Sequence, residues 1–185
     1  KARGLPERYN EFIVNNLTSD SWLVFCHDDV FFCEPLAQKV EKLPKDRIYG
    51  VCGVRKVDGV GRIRGQIRLE YPDKLLGDYI EGGWEKVVSF DPMVIIAHSS
   101  WFSDDELFFD ENLGFHMLSE ELCVRVLKNK SREVAVAQID CLHFSRGEQD
   151  ESYHRAVDYV KKKHCLETFI TTCEKSNLDG REEEG

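Results

Sequence analysis

Trp22-Leu23-Val24-Phe25-Cys26-His27-Asp28-Asp29-Val30 is the stretch on which the fold turns. Its five leading apolar residues follow the breaker Ser19-Asp20-Ser21 and predict a short strand covered on both faces. Charge then arrives abruptly, as an imidazole and two carboxylates at the strand's carboxyl end. In an open α/β sheet that end is the rim where ligands bind. Carboxylates beside such an apolar run are unfavourable without a partner. His27, Asp28 and Asp29 are therefore candidate ligands for a divalent cation. Oxygen donors point to Mg²⁺ or Mn²⁺, and the imidazole shifts the balance toward Mn²⁺. The alternative is structural: the two aspartates start a turn and His27 packs on the strand.

The flanking sequence supports an α/β reading. Residues 6–17 predict a helix with Pro6 in its first turn and Tyr9, Phe12, Ile13 and Leu17 on one face. Residues 35–43 predict a second helix and residues 47–54 a second strand. Helix, strand, helix, strand in that order predicts a mostly parallel sheet flanked by helices. Residues 60–70 alternate, with Ile63, Ile67 and Leu69 on one side and Arg62, Arg64 and Arg68 on the other, as a half-exposed strand or hairpin arm does. Residues 71–85 hold Pro72, Gly77, Gly82 and Gly83 and read as a long loop, a possible lid. Residues 86–96 read as a strand broken at Asp91-Pro92, residues 117–128 and 151–163 as helices, and residues 133–139 and 141–144 as strands.

The bulk numbers bound the function. With 185 residues, 42% of them hydrophobic and 32% charged, the chain suits a single globular domain over residues 1–178. The acidic end, residues 179–185, reads as a frayed tail. A formal net charge of -9 argues against nucleic acid as a partner, which calls for surplus Lys and Arg. No apolar run is long enough to form a transmembrane segment. Seven scattered cysteines without a close pair fit reduced thiols in a cytoplasmic protein better than a disulfide framework or a zinc site.

Two more motifs carry possible chemistry. Ser119-Glu120-Glu121 opens a helix, so either glutamate could serve as a general base toward a hydroxyl. Equally, Ser119 could cap the helix with both acids favoured by its dipole, and Glu121 could pair with Arg125 one turn on. Cys141-Leu142-His143-Phe144-Ser145-Arg146-Gly147 sets a histidine on a short strand before a loop that could bind an anion. His143 gains interest only beside the His27-Asp28-Asp29 cluster. Trp84 and Trp101 could stack on a sugar or simply pack in the core. His98, His116, His154 and His164 have no partner at ligand spacing and read as structural or surface residues.

Taken in order, these motifs resemble the GT-A glycosyltransferases, specifically the family 2-like, majastridin-like group. His27-Asp28-Asp29 looks like a DxD-type motif with a leading histidine. Tyr49-Gly50-Val51-Cys52-Gly53 is similar to that group's next strand, and residues 87–96, with Asp91, to its strand near the acceptor. Phe109-Asp110-Glu111, Phe115-His116 and residues 121–125 resemble its acidic helix, and residues 142–147 its closing histidine and glycine. The resemblance implies a Rossmann-like GT-A fold lacking its first strand before Lys1. It implies transfer of a sugar from a nucleoside-diphosphate sugar, a UDP-sugar above all, to a carbohydrate or other hydroxyl acceptor. Asp29, His143 and His27 would hold the metal. Asp28, Arg8, Asn10 and Asp91 would face the nucleotide sugar, and Glu121 or Glu120 would be the base. Two rival readings use the same residues: a metal-dependent phosphohydrolase, and a binding domain that keeps the metal but does not turn over.

Overall fold

In a computed structural model, residues 4–70, 73–103, 107–129, 132–144, 149–168 and 170–172 are described. Among the described residues twelve strands form three sheets accompanied by four α-helices, a mixed α/β arrangement. Helix α1, Leu5–Asn16, carries Pro6 in its first turn and buries Ile13 completely. Strand β1 is Trp22–Cys26, β2 is Val30–Phe32, and α2, Leu36–Val40, is shorter than the spacing of Leu36, Val40 and Leu43 predicts. The run from Arg47 onward is two strands, β3 (Arg47–Gly50) and β4 (Gly53–Val57), which enter different sheets. Next come β5 (Val60–Arg64), β6 (Ile67–Leu69), β7 (Lys74–Leu76), β8 (Trp84–Lys86), β9 (Ser89–Phe90) and β10 (Val94–His98). A 3-10 turn at Ser99–Ser103 leads on to α3 (Leu118–Lys128), β11 (Glu133–Ala137), β12 (Cys141–His143) and α4 (Glu151–His164).

The central sheet has the order β1-β10-β3-β11-β8. Only β3 and β11 pair in parallel; β1 with β10, β10 with β3, and β11 with β8 are antiparallel. The mostly parallel sheet expected from element order is thus corrected to a mixed, antiparallel-rich one. Part of the expectation survives in strand direction. β1, β3 and β11 all run the same way, but β10 inserts between β1 and β3 against them, and β8 closes the far edge in the same sense as β10. The helix–strand alternation cannot reveal this, because β10 follows β9 of another sheet, β5-β4-β9, rather than a helical crossover. Among the described residues β1 is an edge strand, and only Leu23 and Phe25 are buried, so it is not covered on both faces.

Alternation along the central strands builds two cores. Phe25, Ile95, Val134 and Val136 pack under α1, α3 and α4, with Ile13, Leu122 and Val160. Val94, Ile96, Ala135 and Ala137 face the other side, against Val40, Ile63 and Ile67. Burying each such Val, Leu or Ile is worth roughly 1.5–3 kcal/mol. A second sheet, β2-β12-β6-β7, and a third, β5-β4-β9, complete the molecule. The proposed loop over residues 71–85 in fact supplies β7 and the start of β8. Its turn at Gly77 is tight: φ is +79°, and a Cβ there would lie 2.4 Å from the Gly65 carbonyl oxygen. Tyr71 and Pro72, the Ser145-Arg146-Gly147 loop and the 179–185 tail lie outside the described residues. No helix among the described residues is long and apolar enough to cross a membrane.

Candidate metal centre

Three chain segments leave one sheet for another at the same place. β1 ends in the central sheet at Cys26, and the chain enters the second sheet at Val30, so His27, Asp28 and Asp29 form the crossing. β11 and β12 make the same passage. β12 pairs antiparallel with β2, and the register sets His143 opposite Val30, next to Asp29. The third crossing is Asp91-Pro92-Met93, between β9 of the third sheet and β10 of the central one. Backbone bonds clamp the junction: the His27 N–H donates to the Met93 carbonyl at 3.0 Å, and the Phe144 N–H to the Asp29 carbonyl at 3.0 Å.

The junction gathers His27, Asp29 and His143 so that one ligand atom from each lies within 4.8 Å of the others. Asp29 Oδ1 is 3.3 Å from His143 Nε2 and 3.9 Å from His27 Nδ1. Both Asp29 Oδ1 and His143 Nε2 are buried without a hydrogen-bond partner, a state polar atoms rarely hold unless something else satisfies them. Burial pushes the His27 imidazole below its ordinary value, and the neighbouring His143 adds to this against the pull of Asp91, Asp29 and Asp28. A neutral imidazole is the form that binds a metal. Two nitrogens and one carboxylate oxygen suit Mn²⁺, Zn²⁺ or a similar ion better than an all-oxygen Mg²⁺ shell. Asp28 is exposed and acts on His27 only through its charge.

Behind this cluster runs a line of acidic groups. The charge of Asp91 acts on both His27 and Glu120. Asp91 is held by two hydrogen bonds: its Oδ1 accepts from the Met93 N–H at 2.9 Å and its Oδ2 from the Thr172 hydroxyl at 3.0 Å. Glu120 sits inside α3, 3% exposed. Burial, and after it the charge of Asp91, raises its carboxyl to about 8. Hydrogen bonds from the backbone and from Ser119 lower it by less than burial raises it. Ser119 Oγ lies 2.8 Å from the Phe90 carbonyl oxygen and 2.9 Å from Glu120 Oε2. A hydroxyl has one proton to give. If it goes to the carbonyl, which can only accept, the second contact needs the proton to reside on Glu120.

Glu121 has the opposite surroundings. It is fully buried, with Arg125 Nη2 at 2.8 Å, Lys163 Nζ at 2.6 Å and His164 Nε2 at 3.0 Å. Burial alone would raise it, but the hydrogen bond and charge of Arg125, with hydrogen bonds from Lys163 and His164, outweigh that and lower it. Lys163 also reaches Asp110 at 2.8 Å. Glu121 therefore ties α3 to α4. The expected cap at Ser119 is also corrected: Met117 occupies that position in the left-handed region, φ 64°, and Ser119 is wholly buried.

The remaining candidates have structural partners or none nearby. Asn10 is spent on the chain itself: its amide donates to the Phe109 carbonyl at 2.9 Å and its oxygen accepts from the Phe109 N–H at 2.8 Å. Arg8 is exposed on α1. Arg47 covers the Trp84 ring at 3.9 Å, and the Trp101 indole donates to the Lys45 carbonyl at 2.7 Å. His98 and His164, read from sequence as unpartnered, face Asp20 at 3.1 Å and Glu121 at 3.0 Å. A cavity of about 560 Å³ between β1 and α2, lined by Trp22, Val24 and Val40, shares no residue with the ion cluster. One residue named from sequence only within a resemblance proves to touch the site. Phe115 lays its ring on His27, with centroids 4.6 Å apart at 31°, although half of it is exposed. No spacing rule links a loop phenylalanine to a histidine so distant in the chain.

Neither a protein-family model nor a curated protein matches this chain.

Proposed function

We propose that this domain is a metal-dependent glycosyltransferase that moves a sugar from a nucleoside-diphosphate sugar, such as a UDP-sugar, to an acceptor hydroxyl. The observation that carries the reading is the pair of partnerless buried atoms, Asp29 Oδ1 and His143 Nε2, beside His27 at the end of a sheet. His27, Asp29 and His143 would hold a divalent cation, Mn²⁺ being the best match. A cation in that position supplies positive charge against that growing on a leaving diphosphate. The charge of Asp91 acts on both His27 and Glu120. Glu120, raised to about 8, is poised to exchange a proton near neutral pH. Of the two glutamates it is the better candidate for proton transfer, because Glu121 is held by Arg125, Lys163 and His164.

That same engagement of Glu121 favours a second reading, a domain that binds metal and nucleotide sugar without turnover. Incubation with UDP-glucose, UDP-galactose or UDP-N-acetylglucosamine and Mn²⁺ tests both. Release of UDP with glycosylation of an added acceptor, lost on chelation and in Asp29→Asn, supports transfer. Binding of Mn²⁺ and UDP with no product supports the binding domain. Release of UMP assigns the site to phosphohydrolysis and overturns the proposal.

A further inference from the structure

A cleft of about 250 Å³ opens beside the ion cluster, between the 112–116 loop and α4. Phe115 belongs to both: it lines the cleft and packs on His27. Asn112, His116, Ser152 and Arg155 supply the polar lining. The volume admits one small ring, being below the usual range of drug-sized sites. Arg155 already carries Glu151 at 2.7 Å, and His116 lies 3.6 Å from Asp150. A phosphate or carboxylate entering here would compete with both carboxylates. A neutral ligand rich in hydroxyls would not, and it could use an amide, a hydroxyl and a guanidinium at its edge. A half-exposed aromatic ring among such groups suits the apolar face of a pyranose.

From this combination we infer that the Phe115–Arg155 cleft is the acceptor subsite and takes a single neutral pyranose ring. The inference rests on the metal-dependent transfer reading, because Phe115 is what joins the cleft to His27. Ring contact with Phe115 fixes the plane of the sugar, and Asn112, Ser152 and Arg155 select its hydroxyl pattern. A hydroxyl on the His27 side would then face the ion cluster.

Isotope-labelled protein titrated with methyl β-D-glucopyranoside, methyl β-D-galactopyranoside and methyl α-D-mannopyranoside, each followed by amide shifts, tests this. The expected result is saturable shifts at residues 112–116 and 152–155 with at least one glycoside. Phe115→Ala should weaken that binding about tenfold, the scale of one lost aromatic contact. Arg155→Ala, a surface change that leaves the core intact, should weaken it severalfold. Shifts that are absent, that lie elsewhere, or that persist unchanged in both variants overturn the subsite. Tighter binding of inorganic phosphate than of any glycoside at the same residues also overturns it. Mn²⁺ binding, read separately from paramagnetic broadening around His27 and His143, tells the two failures apart. Broadening without glycoside shifts removes the subsite alone; glycoside shifts without broadening remove the metal reading and leave the sugar cleft.

Discussion

Asp29 Oδ1 and His143 Nε2 face each other at 3.3 Å, both buried and neither hydrogen-bonded. Neither atom has a hydrogen-bond partner, and a cation held between them would satisfy both at once. Mn²⁺ should therefore raise the melting temperature, with a gain of about 2.7 kcal/mol at a hundred times Kd. Asp29→Asn and His143→Ala should lose affinity by more than the roughly 10–100-fold that removal of an outer-shell partner causes. Thermal melts with and without chelator read this directly. Equal Mn²⁺ stabilisation of all three proteins would show that the ion binds elsewhere.

Glu120 makes stability fall as pH rises. Its folded carboxyl, at about 8, binds a proton that the unfolded chain has released above 4.5. The native state holds more protons in that window, so stability is full below 4.5 and is lost as pH passes through 8, at up to ~1.4 kcal/mol per pH unit. Glu120→Gln keeps a donor toward Ser119 Oγ and removes the titration. Urea unfolding at pH 5, 7 and 9 should show a decline in the parent chain that is much smaller in the variant. Parallel declines in both would mean that Glu120 is ionised at neutral pH.

Glu121 should matter for folding rather than for the ion. Glu121→Ala strands Arg125, Lys163 and His164 around a vacated, fully buried position, and breaking a buried pair in this way costs about 3–5 kcal/mol. Because the folded carboxyl is lowered, its contribution is present above the unfolded value and disappears in acid. Chemical denaturation at neutral pH should show the loss, while Mn²⁺ affinity of the folded fraction stays unchanged. A variant of normal stability with reduced sugar transfer would instead return Glu121 to the reaction.

Gly65 and Gly59 make a controlled pair. Both have φ of +85°, but a Cβ on Gly65 would lie 2.1 Å from the Val51 carbonyl oxygen, whereas nothing lies within 4 Å of one on Gly59. Gly59→Ala should cost only the left-handed backbone penalty, about 1–2 kcal/mol. Gly65→Ala must also move the backbone where β3 ends, and should be clearly the worse of the two in thermal melts. Equal losses would show that the approach of Gly65 to the Val51 carbonyl is loose.

Much was legible along the chain. Residues 6–17, 117–128 and 151–163 were readable as helices, found at Leu5–Asn16, Leu118–Lys128 and Glu151–His164, because a buried face repeats every three to four residues whatever it packs on. The break at Asp91-Pro92 was visible because proline cannot donate to a ladder. His27, Asp28 and Asp29 stood out because charge at the end of an apolar strand needs a reason; His143 gained interest only beside them, and the structure joins it to His27 and Asp29 but leaves Asp28 exposed. Arg8 is likewise exposed, and Asn10 turns out to bind the Phe109 backbone.

The sequence by itself determined where the helices form and that a metal-suited cluster follows the first strand, since both depend on local pattern and residue chemistry. Only the tertiary structure decided that β10 runs against its neighbours, that Phe115 roofs His27, and that two adjacent glutamates are pushed in opposite directions, Glu120 up and Glu121 down. The reason is physical range. A carboxyl's state is set by burial and by whatever groups lie within a few ångströms: Glu121 meets Arg125 one turn on and Lys163 and His164 from another helix, while burial and the like charge of Asp91 dominate at Glu120.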